Sequence, residues 1–326
     1  MIAGHVDDFN QPTRSFVKAS SAALGKTVMQ NDHFDAQQWQ RYIEHETGFV
    51  LPAAQLKWLK NAIDHTAQSQ GLSAKQLWYQ LPRSNALRQQ LLDKVLIHES
   101  RFFRHQPSID FVTQCAAEHQ RRVLKADRVS ADGISGVDKL FRIWSVGCAG
   151  GQEAWSLAMS LAAQQMTRFA ILGTDVSEQA LVNARLAQYD KRQQALIPQH
   201  CQPYVYPLST NRPTPTSSLA DTAMPATALQ TSWQVAPTLQ SHVSFALHNI
   251  IEQQPPTPHL QQVIICQNML LYFRKFDQRD ILARLSAQCA PGGYIVLAPG
   301  EALFWRPANM RRIAHPQVNV WQKTNT

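Results

Sequence analysis

The first hundred residues place apolar and polar positions at helical spacing. Apolar side chains return every three or four residues, so they share one face of each predicted helix. Pro52 stands where one of these helices could begin, and Ser73 followed by Gln76 fits a capping box. We therefore predict a small all-helical domain over residues 31–97, preceded by a loose polar leader over residues 1–30. The apolar positions are Trp39, Tyr42 and Ile43, then Leu56, Leu59 and Ile63, then Leu87, Leu91 and Val95.

A different pattern covers residues 140–200 and 240–326. Short β-rich runs alternate there with stretches of helical spacing, which predicts a mostly parallel sheet with helices on both faces. The predicted strands are Phe141–Val146, Phe169–Gly173, Val243–Leu247, Gln262–Cys266 and Tyr294–Ala298. The predicted helices are Glu153–Gln165, Ser177–Ala187 and Phe276–Cys289.

Prolines interrupt this pattern between residues 207 and 232, where they stand among serine, threonine and alanine with almost no charge. Such a segment predicts a flexible excursion, here inside a small subdomain inserted at about residues 190–242. Residues 98–138 are expected to form the junction of the two domains, with a connecting helix. The sheet domain is then expected to span residues 139–326.

Composition narrows the class of protein. Of 326 residues 44% are hydrophobic, which allows a large core, and 31 basic against 23 acidic side chains give a net charge of +8. The excess is spread over both halves of the chain, so charge alone does not argue for a nucleic-acid partner. A mildly basic soluble protein is the simplest interpretation, and an acidic protein partner is the functional alternative. No apolar run reaches the roughly 18 residues of a membrane span. No secretory signal is visible at the start either, so a cytoplasmic protein is expected.

The cysteines are five in number and contain no C-x-x-C pair. An odd count without such pairs argues against a disulfide framework and against a structural zinc site. We expect reduced and mostly buried thiols. The histidines also fall at no obvious ligand spacing, and no metal is expected.

Candidate chemistry begins at the end of the first predicted strand. Gly147, Gly150 and Gly151 form a turn between that strand and a helix, where a ligand can approach the backbone closely. The spacing matches neither the dinucleotide fingerprint nor a phosphate loop, and a purely structural turn is the alternative. Asp175 ends the next strand, where a carboxylate can hold both hydroxyls of a ribose, although it could also cap the following helix. Together the two features favour a nucleoside-bearing cofactor.

Two further segments carry polar residues at informative places. Asn268 follows an apolar strand at the carboxyl edge of the sheet, where open α/β sheets bind ligands. Phe102 and Phe103 stand between Arg101 and Arg104, directly after the predicted helical domain. The alternative for the second segment is a hydrophobic hinge with solvated charges.

The order and spacing of these blocks over residues 33–303 resemble the CheR-type chemotaxis receptor methyltransferases. That family uses S-adenosylmethionine to convert receptor glutamates to methyl esters. The resemblance implies a Rossmann-like class I S-adenosylmethionine-dependent methyltransferase domain, an α/β fold, preceded by a small all-helical domain. The matching blocks are Ser100–Arg104, Gly147–Ser156, Gly173–Val176, Asn249–Ile250, Cys266–Phe273, Pro291–Gly293 and Gly300–Glu301.

The resemblance also implies the residues of the site. Arg104 is expected to hold the acceptor carboxylate, and Tyr272 is a weaker candidate for orienting it. His98 stands where the family usually has a cofactor-contacting asparagine. The residues implied to bind the cofactor are His98, Ser100, Arg104, Gly147, Glu153, Asp175, Asn249, Ile250, Asn268 and Met269.

The chain departs from the family pattern at several positions, which suggests a side branch, and the branch tied to type IV pilus chemosensory systems is the expected one. The expected partner is the cytoplasmic helical domain of a membrane chemoreceptor, with no nucleic acid, no membrane insertion and a monomeric enzyme. Methylation of another protein or a small molecule, and a non-catalytic cofactor-binding module, remain as alternatives. The departures are Gly150 for Thr, Gln152 for Glu, Gln267 for Arg and Gly300 for Ser.

Overall fold

The computed structural model describes residues 35–96, 99–129, 138–208 and 232–324. None of the helices in these ranges is long and apolar enough to cross a membrane. Three predictions fall outside them: the leader over 1–30, the role of His98, and nearly all of the excursion between 207 and 232.

The described chain begins with a helical region that has its own apolar core, which includes Trp39, Ile43, Leu59 and Leu91. Ser73 forms the predicted capping box, because its hydroxyl accepts from the Gln76 amide while the Gln76 side chain accepts from the Ser73 amide. Pro52 precedes a short 3-10 turn, and the helix that follows starts only at Leu56. The helices are α1 (Ala36–Thr47), α2 (Leu56–Ser69), α3 (Ala74–Gln80) and α4 (Asn85–Val95).

The remaining helices and strands alternate over the first part of the sheet domain, as the sequence pattern predicted. The helices are α5 (Gln106–Val129), α6 (Gln152–Ala163), α7 (Glu178–Leu186), α8 (Lys191–Gln194), α9 (Pro237–Gln240) and α10 (Lys275–Gln288). The strands are β1 (Phe141–Val146), β2 (Phe169–Asp175), β3 (Gln188–Asp190), β4 (Val205–Pro207), β5 (Ser232–Val235), β6 (Val243–Leu247), β7 (Gln261–Cys266), β8 (Cys289–Leu297), β9 (Met310–Ile313) and β10 (Asn319–Lys323). The alternation holds from α5 to α7, whereas β6 runs directly into β7 and β8–β10 follow one another.

Seven strands form one sheet in the order β6-β2-β1-β7-β8-β10-β9. The strands from β6 to β8 are parallel, and the last hairpin, β9 with β10, joins antiparallel to β8. The predicted Rossmann-like parallel sheet is thereby confirmed. The C-terminal hairpin was not among the predicted strands.

Alternating side chains of the central strands fill two cores. In β1, Ile143 belongs to the core that α5 and α6 cover, whereas Trp144 and Val146 belong to the core that α10 covers. Both faces of the sheet are therefore buried, which explains why its strands read as nearly continuous apolar runs. This leaves the carboxyl edge of the strands as the place for a ligand.

A second, small sheet has the order β3-β5-β4 and is antiparallel throughout. It supports the segment that precedes α5, because Phe102 is fully buried against two of its aromatic rings. The ring centroid of Phe102 lies 4.7 Å from that of Tyr189 and 5.1 Å from that of Trp233. The arrangement fixes the backbone next to Arg104.

Candidate active site

One cavity opens where β1, β2 and β7 end, between the helical region and the sheet. Every predicted site residue within the described ranges lines it. Sequence reasoning therefore brought together residues that are up to 172 positions apart, as between Ser100 and Tyr272. The predicted residues in the wall are Ser100, Arg104, Gly147, Glu153, Asp175, Asn249, Ile250, Asn268, Met269 and Tyr272.

The glycine-rich turn brings its backbone close to the opposite wall. Gly147 has φ of 67°, a left-handed conformation that favours glycine. A Cβ at this position would lie 2.9 Å from Sδ of Met269, so a side chain here would displace Met269. The Cys148 amide donates to the Thr174 carbonyl at 2.9 Å and ties the turn to β2.

Asp175 holds the turn from the end of β2. One carboxylate oxygen accepts from the Ala149 amide at 2.8 Å and the other from the Ser177 amide at 2.9 Å. Ser177 itself is the N-cap of α7, since its hydroxyl accepts from the Ala180 amide. The suggestion that Asp175 caps this helix is therefore wrong. A carboxylate at this strand end can also accept hydrogen bonds from the hydroxyls of a ribose.

Glu153 adds a second carboxyl group in the first turn of α6. Ser145 donates its hydroxyl proton to Glu153 Oε1 at 2.7 Å. Burial raises the pKa of Glu153 to about 7, against the opposing effects of the Ser145 hydrogen bond and of Arg104. A cationic ligand would favour the ionised carboxylate, and this group therefore suits a positively charged cofactor.

The turn after β7 places Asn268 and Met269. Asn268 has φ of 57°, a left-handed conformation that asparagine tolerates better than most residues. Glu301 lies behind this turn and accepts from the Ala298 amide at 3.0 Å. Burial raises the pKa of Glu301, while the backbone amides of Asn268 and Leu270 oppose that shift. The carboxyl group of Glu301 therefore lies against the backbone amides of this turn and stabilises it.

Asn249 and Ile250 reach the cavity from the segment after β6. The Asn249 amide nitrogen donates to the Glu46 carbonyl at 2.7 Å, and its oxygen lies 3.3 Å from the Ile251 amide. Its carboxamide thus joins the end of α1 to the sheet domain, and Ile250 is buried in the adjoining core. The implied contact of this pair with the cofactor stays a prediction.

Arg104 and Tyr272 form the part of the wall nearest the helical region. The Arg104 side chain is exposed, and Nη1 donates to the backbone carbonyl of Glu99 at 3.3 Å. Within the described chain Arg104 makes no ion pair with an acidic side chain, so its guanidinium is not held by a structural salt bridge there. The Tyr272 ring lies 5.6 Å from that of Phe49, and its carbonyl accepts from the Val50 amide at 2.8 Å.

Sequence reasoning missed several residues of the wall. Phe49 and Leu51 come from the segment after α1, and His105 comes from the turn before α5. Phe49 packs with its centroid 4.8 Å from that of Phe273. Nothing in the local sequence separates these residues from ordinary core and loop positions, because they reach the cavity only through the packing of the helical region on the sheet.

All five cysteines are free and buried, as expected. Cys148 lies in the glycine-rich turn, where burial raises the pKa of its thiol well above the usual value. A protonated thiol is a poor nucleophile, so the cavity offers no cysteine nucleophile at this position. No group of three or more histidine, cysteine or acidic side chains in the described ranges could hold a metal ion.

The sheet order, the glycine turn and the two carboxylates define a class of protein: a Rossmann-like class I methyltransferase that binds S-adenosylmethionine. Residues 98–217 and 224–318 match the family described as CheR methyltransferase, SAM binding domain. The chain belongs to the CheR methyltransferase family, and the predicted family and cofactor are both confirmed.

Relatives with similar sequences cover most of the chain. It is 26% identical over 280 residues to Chemotaxis protein methyltransferase 1 of Pseudomonas aeruginosa, which covers 82% of this chain and 90% of that protein. It is 23% identical over 299 residues to Chemotaxis protein methyltransferase Cher2 of Pseudomonas putida, which covers 87% of this chain and 96% of that protein. The similarity thus extends to the helical region before residue 98.

Proposed function

We propose that this chain methylates glutamate side chains of chemoreceptors for sensory adaptation. The observation that carries the proposal is the position of Arg104, an exposed guanidinium without an ion-pair partner in the described chain, in the same cavity wall as Glu153 and Asp175. A guanidinium can bind a carboxylate through two parallel hydrogen bonds, which suits a glutamate acceptor. The names of the two Pseudomonas relatives support a role in chemotaxis.

In this proposal each residue of the cavity wall has a separate role. Asp175 holds the ribose hydroxyls, and Glu153 faces the positive charge of the cofactor. Arg104 holds the acceptor carboxylate, and the Tyr272 hydroxyl orients it. When bound, S-adenosylmethionine supplies a methyl group on a cationic sulfur, which keeps the electron pair of the broken carbon–sulfur bond.

No general base is required. A glutamate side chain has an unperturbed pKa of about 4.3 and is already an anion near neutral pH. The protein then has to align the carboxylate and remove part of its water shell. Among the described residues of the wall, neither His105 nor His248 is hydrogen-bonded to a carboxylate, which fits a reaction that needs no general base.

The test is transfer of a radiolabelled methyl group from S-adenosylmethionine to candidate receptors. Mild base should release the label, because carboxyl methyl esters hydrolyse readily. Receptors whose acceptor glutamates are replaced by glutamine serve as the control and should take up no label. Base-stable label on protein, or label found only on small molecules, would refute glutamate methylation. Tight cofactor binding without any transfer would favour a non-catalytic module.

A further inference from the structure

His105 lies next to Arg104 in the cavity wall, and the proposed reaction gives it no role. It is half-buried and ends the turn that leads into α5. A side-chain hydrogen-bond chain connects it to the turn after β7. Its members are His105, the fully buried Ser108, and Gln267.

Gln267 fixes the donor–acceptor direction of these hydrogen bonds. Its Nε2 lies 3.2 Å from the carbonyl oxygen of Leu297 and 2.8 Å from Oγ of Ser108. A backbone carbonyl can only accept, so the atom that faces it must be the amide nitrogen. The same nitrogen therefore donates its second hydrogen to the Ser108 oxygen.

The hydroxyl of Ser108 in turn donates to the His105 imidazole. The Ser108 Oγ lies 2.7 Å from Nδ1 of His105 and already accepts from Gln267. The hydroxyl proton has no other acceptor among the described residues, so in this fully buried side chain it is donated to Nδ1. Nδ1 is then an acceptor, and the neutral ring carries its proton on Nε2. Burial lowers the pKa of His105, which favours the same neutral form. No residue in the described ranges accepts from Nε2.

We propose that the His105 Nε2–H donates a hydrogen bond to the acceptor carboxylate beside Arg104, with Ser108 and Gln267 fixing its tautomer. The inference rests on the proposed function, because it needs a carboxylate acceptor. A neutral donor next to a guanidinium orients the second carboxylate oxygen without adding a second full charge opposite the cationic methyl donor. Gln267, which replaces the arginine of the family pattern, is in this reading a positioning residue.

The tautomer can be measured without any receptor. Two-bond proton–nitrogen NMR correlation on protein with isotope-labelled histidine distinguishes Nε2–H from Nδ1–H rings, and His105→Gln identifies the signal by its loss. The Nε2–H form is expected in the unmodified protein near neutral pH, and a mixture of both forms in Ser108→Ala. An Nδ1–H ring or a charged ring in the unmodified protein would overturn the proposal.

Kinetics test the contact with the acceptor. His105→Leu should lower kcat/KM for the receptor roughly 10- to 100-fold, mainly through the receptor KM, since hydrogen bonds to charged groups contribute at that level. His105→Gln should recover most of this, because its amide can present an N–H near the same place. Affinity for S-adenosylmethionine and the melting temperature should stay close to normal in both variants. His259→Leu, in an exposed loop, is the matched control and should change nothing.

Two results would contradict this role in different ways. Normal receptor kinetics in a folded His105→Leu protein would overturn the role of His105 alone. Absence of glutamate methylation by the unmodified protein would overturn the proposed function and the role of His105 together, whatever tautomer the spectrum shows.

Discussion

The two halves of the cavity are built in different ways. The cofactor half consists of the glycine-rich turn with Glu153 and Asp175, and its carboxylates already accept hydrogen bonds from a serine hydroxyl or from backbone amides. The proposed acceptor half consists of Arg104, His105 and Tyr272. There the Arg104 guanidinium is exposed and has one long hydrogen bond to a carbonyl.

This difference fits what each half is proposed to bind. A small cofactor can be enclosed, so its groups gain from being held in place before the ligand arrives. A glutamate on a protein surface arrives with its own backbone and neighbours, which need an open approach. We infer that the acceptor itself completes the second half. Substitutions in the cofactor half should therefore weaken cofactor binding, whereas those in the acceptor half should lower kcat or raise the KM for the receptor.

The largest effect is expected from Arg104. Arg104→Ala should lower kcat for methyl transfer roughly 100-fold or more, the usual cost of removing a charged group that holds the reacting atoms. Arg104→Lys should recover only part, because an ammonium lacks the planar fork that fixes a carboxylate. Cofactor affinity, measured by titration calorimetry, should fall much less than turnover.

The control for this comparison is Arg279→Ala, which removes an exposed arginine of α10. Melting temperatures of all three variants should agree with that of the unmodified protein. A folded Arg104→Ala protein with near-normal methyl transfer would remove Arg104 from the site and leave Tyr272 to orient the glutamate.

Asp175 tests the cofactor half. Asp175→Ala should weaken S-adenosylmethionine binding by about 1.5–3 kcal/mol, which is the typical contribution of hydrogen bonds to a charged group. The melting temperature should also fall, because the amides of Ala149 and Ser177 lose their acceptor. Asp280→Ala, at an exposed position of α10, is the control. Unchanged calorimetric affinity in a folded Asp175→Ala protein would contradict the ribose assignment.

The strand pattern could bring some residues of the cavity together and could not find others, for a physical reason. Strand ends of a parallel sheet meet at one edge, so Gly147, Asp175 and Asn268 could be placed together from the strand pattern alone. Phe49 and His105 reach the cavity through long-range packing, which no local pattern encodes. The same limit applies to Asn249, whose amide holds the end of α1 through the Glu46 carbonyl.

The strands likewise differ in how well the sequence predicted them. The parallel strands were predicted because burial on both faces makes each an apolar run. The hairpin of β9 and β10 was missed, because Met310–Ile313 is half exposed and carries Arg311 and Arg312. An edge strand with charged side chains has little of the apolar signal on which such predictions depend.

A smaller effect is expected from the glycine turn, and the chain offers a matched pair. Gly147 and Gly71 have φ of 67° and 65°, so alanine is strained equally at both. A Cβ at Gly71 meets nothing within 4 Å, whereas one at Gly147 displaces Met269. Both variants should lose stability by about 1 kcal/mol. Only Gly147→Ala should also weaken cofactor binding, by roughly tenfold in calorimetry. Equal cofactor affinity in the two variants would show that Met269 does not touch the cofactor.

The smallest and most specific effect concerns pH. Burial raises the pKa of Glu153 to about 7, and the ionised carboxylate is the form that a cation prefers. Affinity for S-adenosylmethionine should therefore fall as the pH is lowered, by about fivefold between pH 7 and pH 6, where the ionised fraction falls from a half to about a tenth. Glu153→Gln should bind more weakly and without this pH dependence.

The stability of the free protein should change with pH in the opposite direction to its cofactor affinity. A general pH effect would not give both changes. A carboxyl group whose folded pKa is raised binds more protons in the folded than in the unfolded state between its two pKa values. Its contribution to stability is then present below about pH 4.5 and is lost as the pH rises through about 7. The melting temperature of the unmodified protein should fall over that range relative to that of Glu153→Gln. If the melting temperatures of the two proteins change with pH in the same way, Glu153 is already ionised in the free protein. The cofactor half would then hold two negative charges before the cofactor binds.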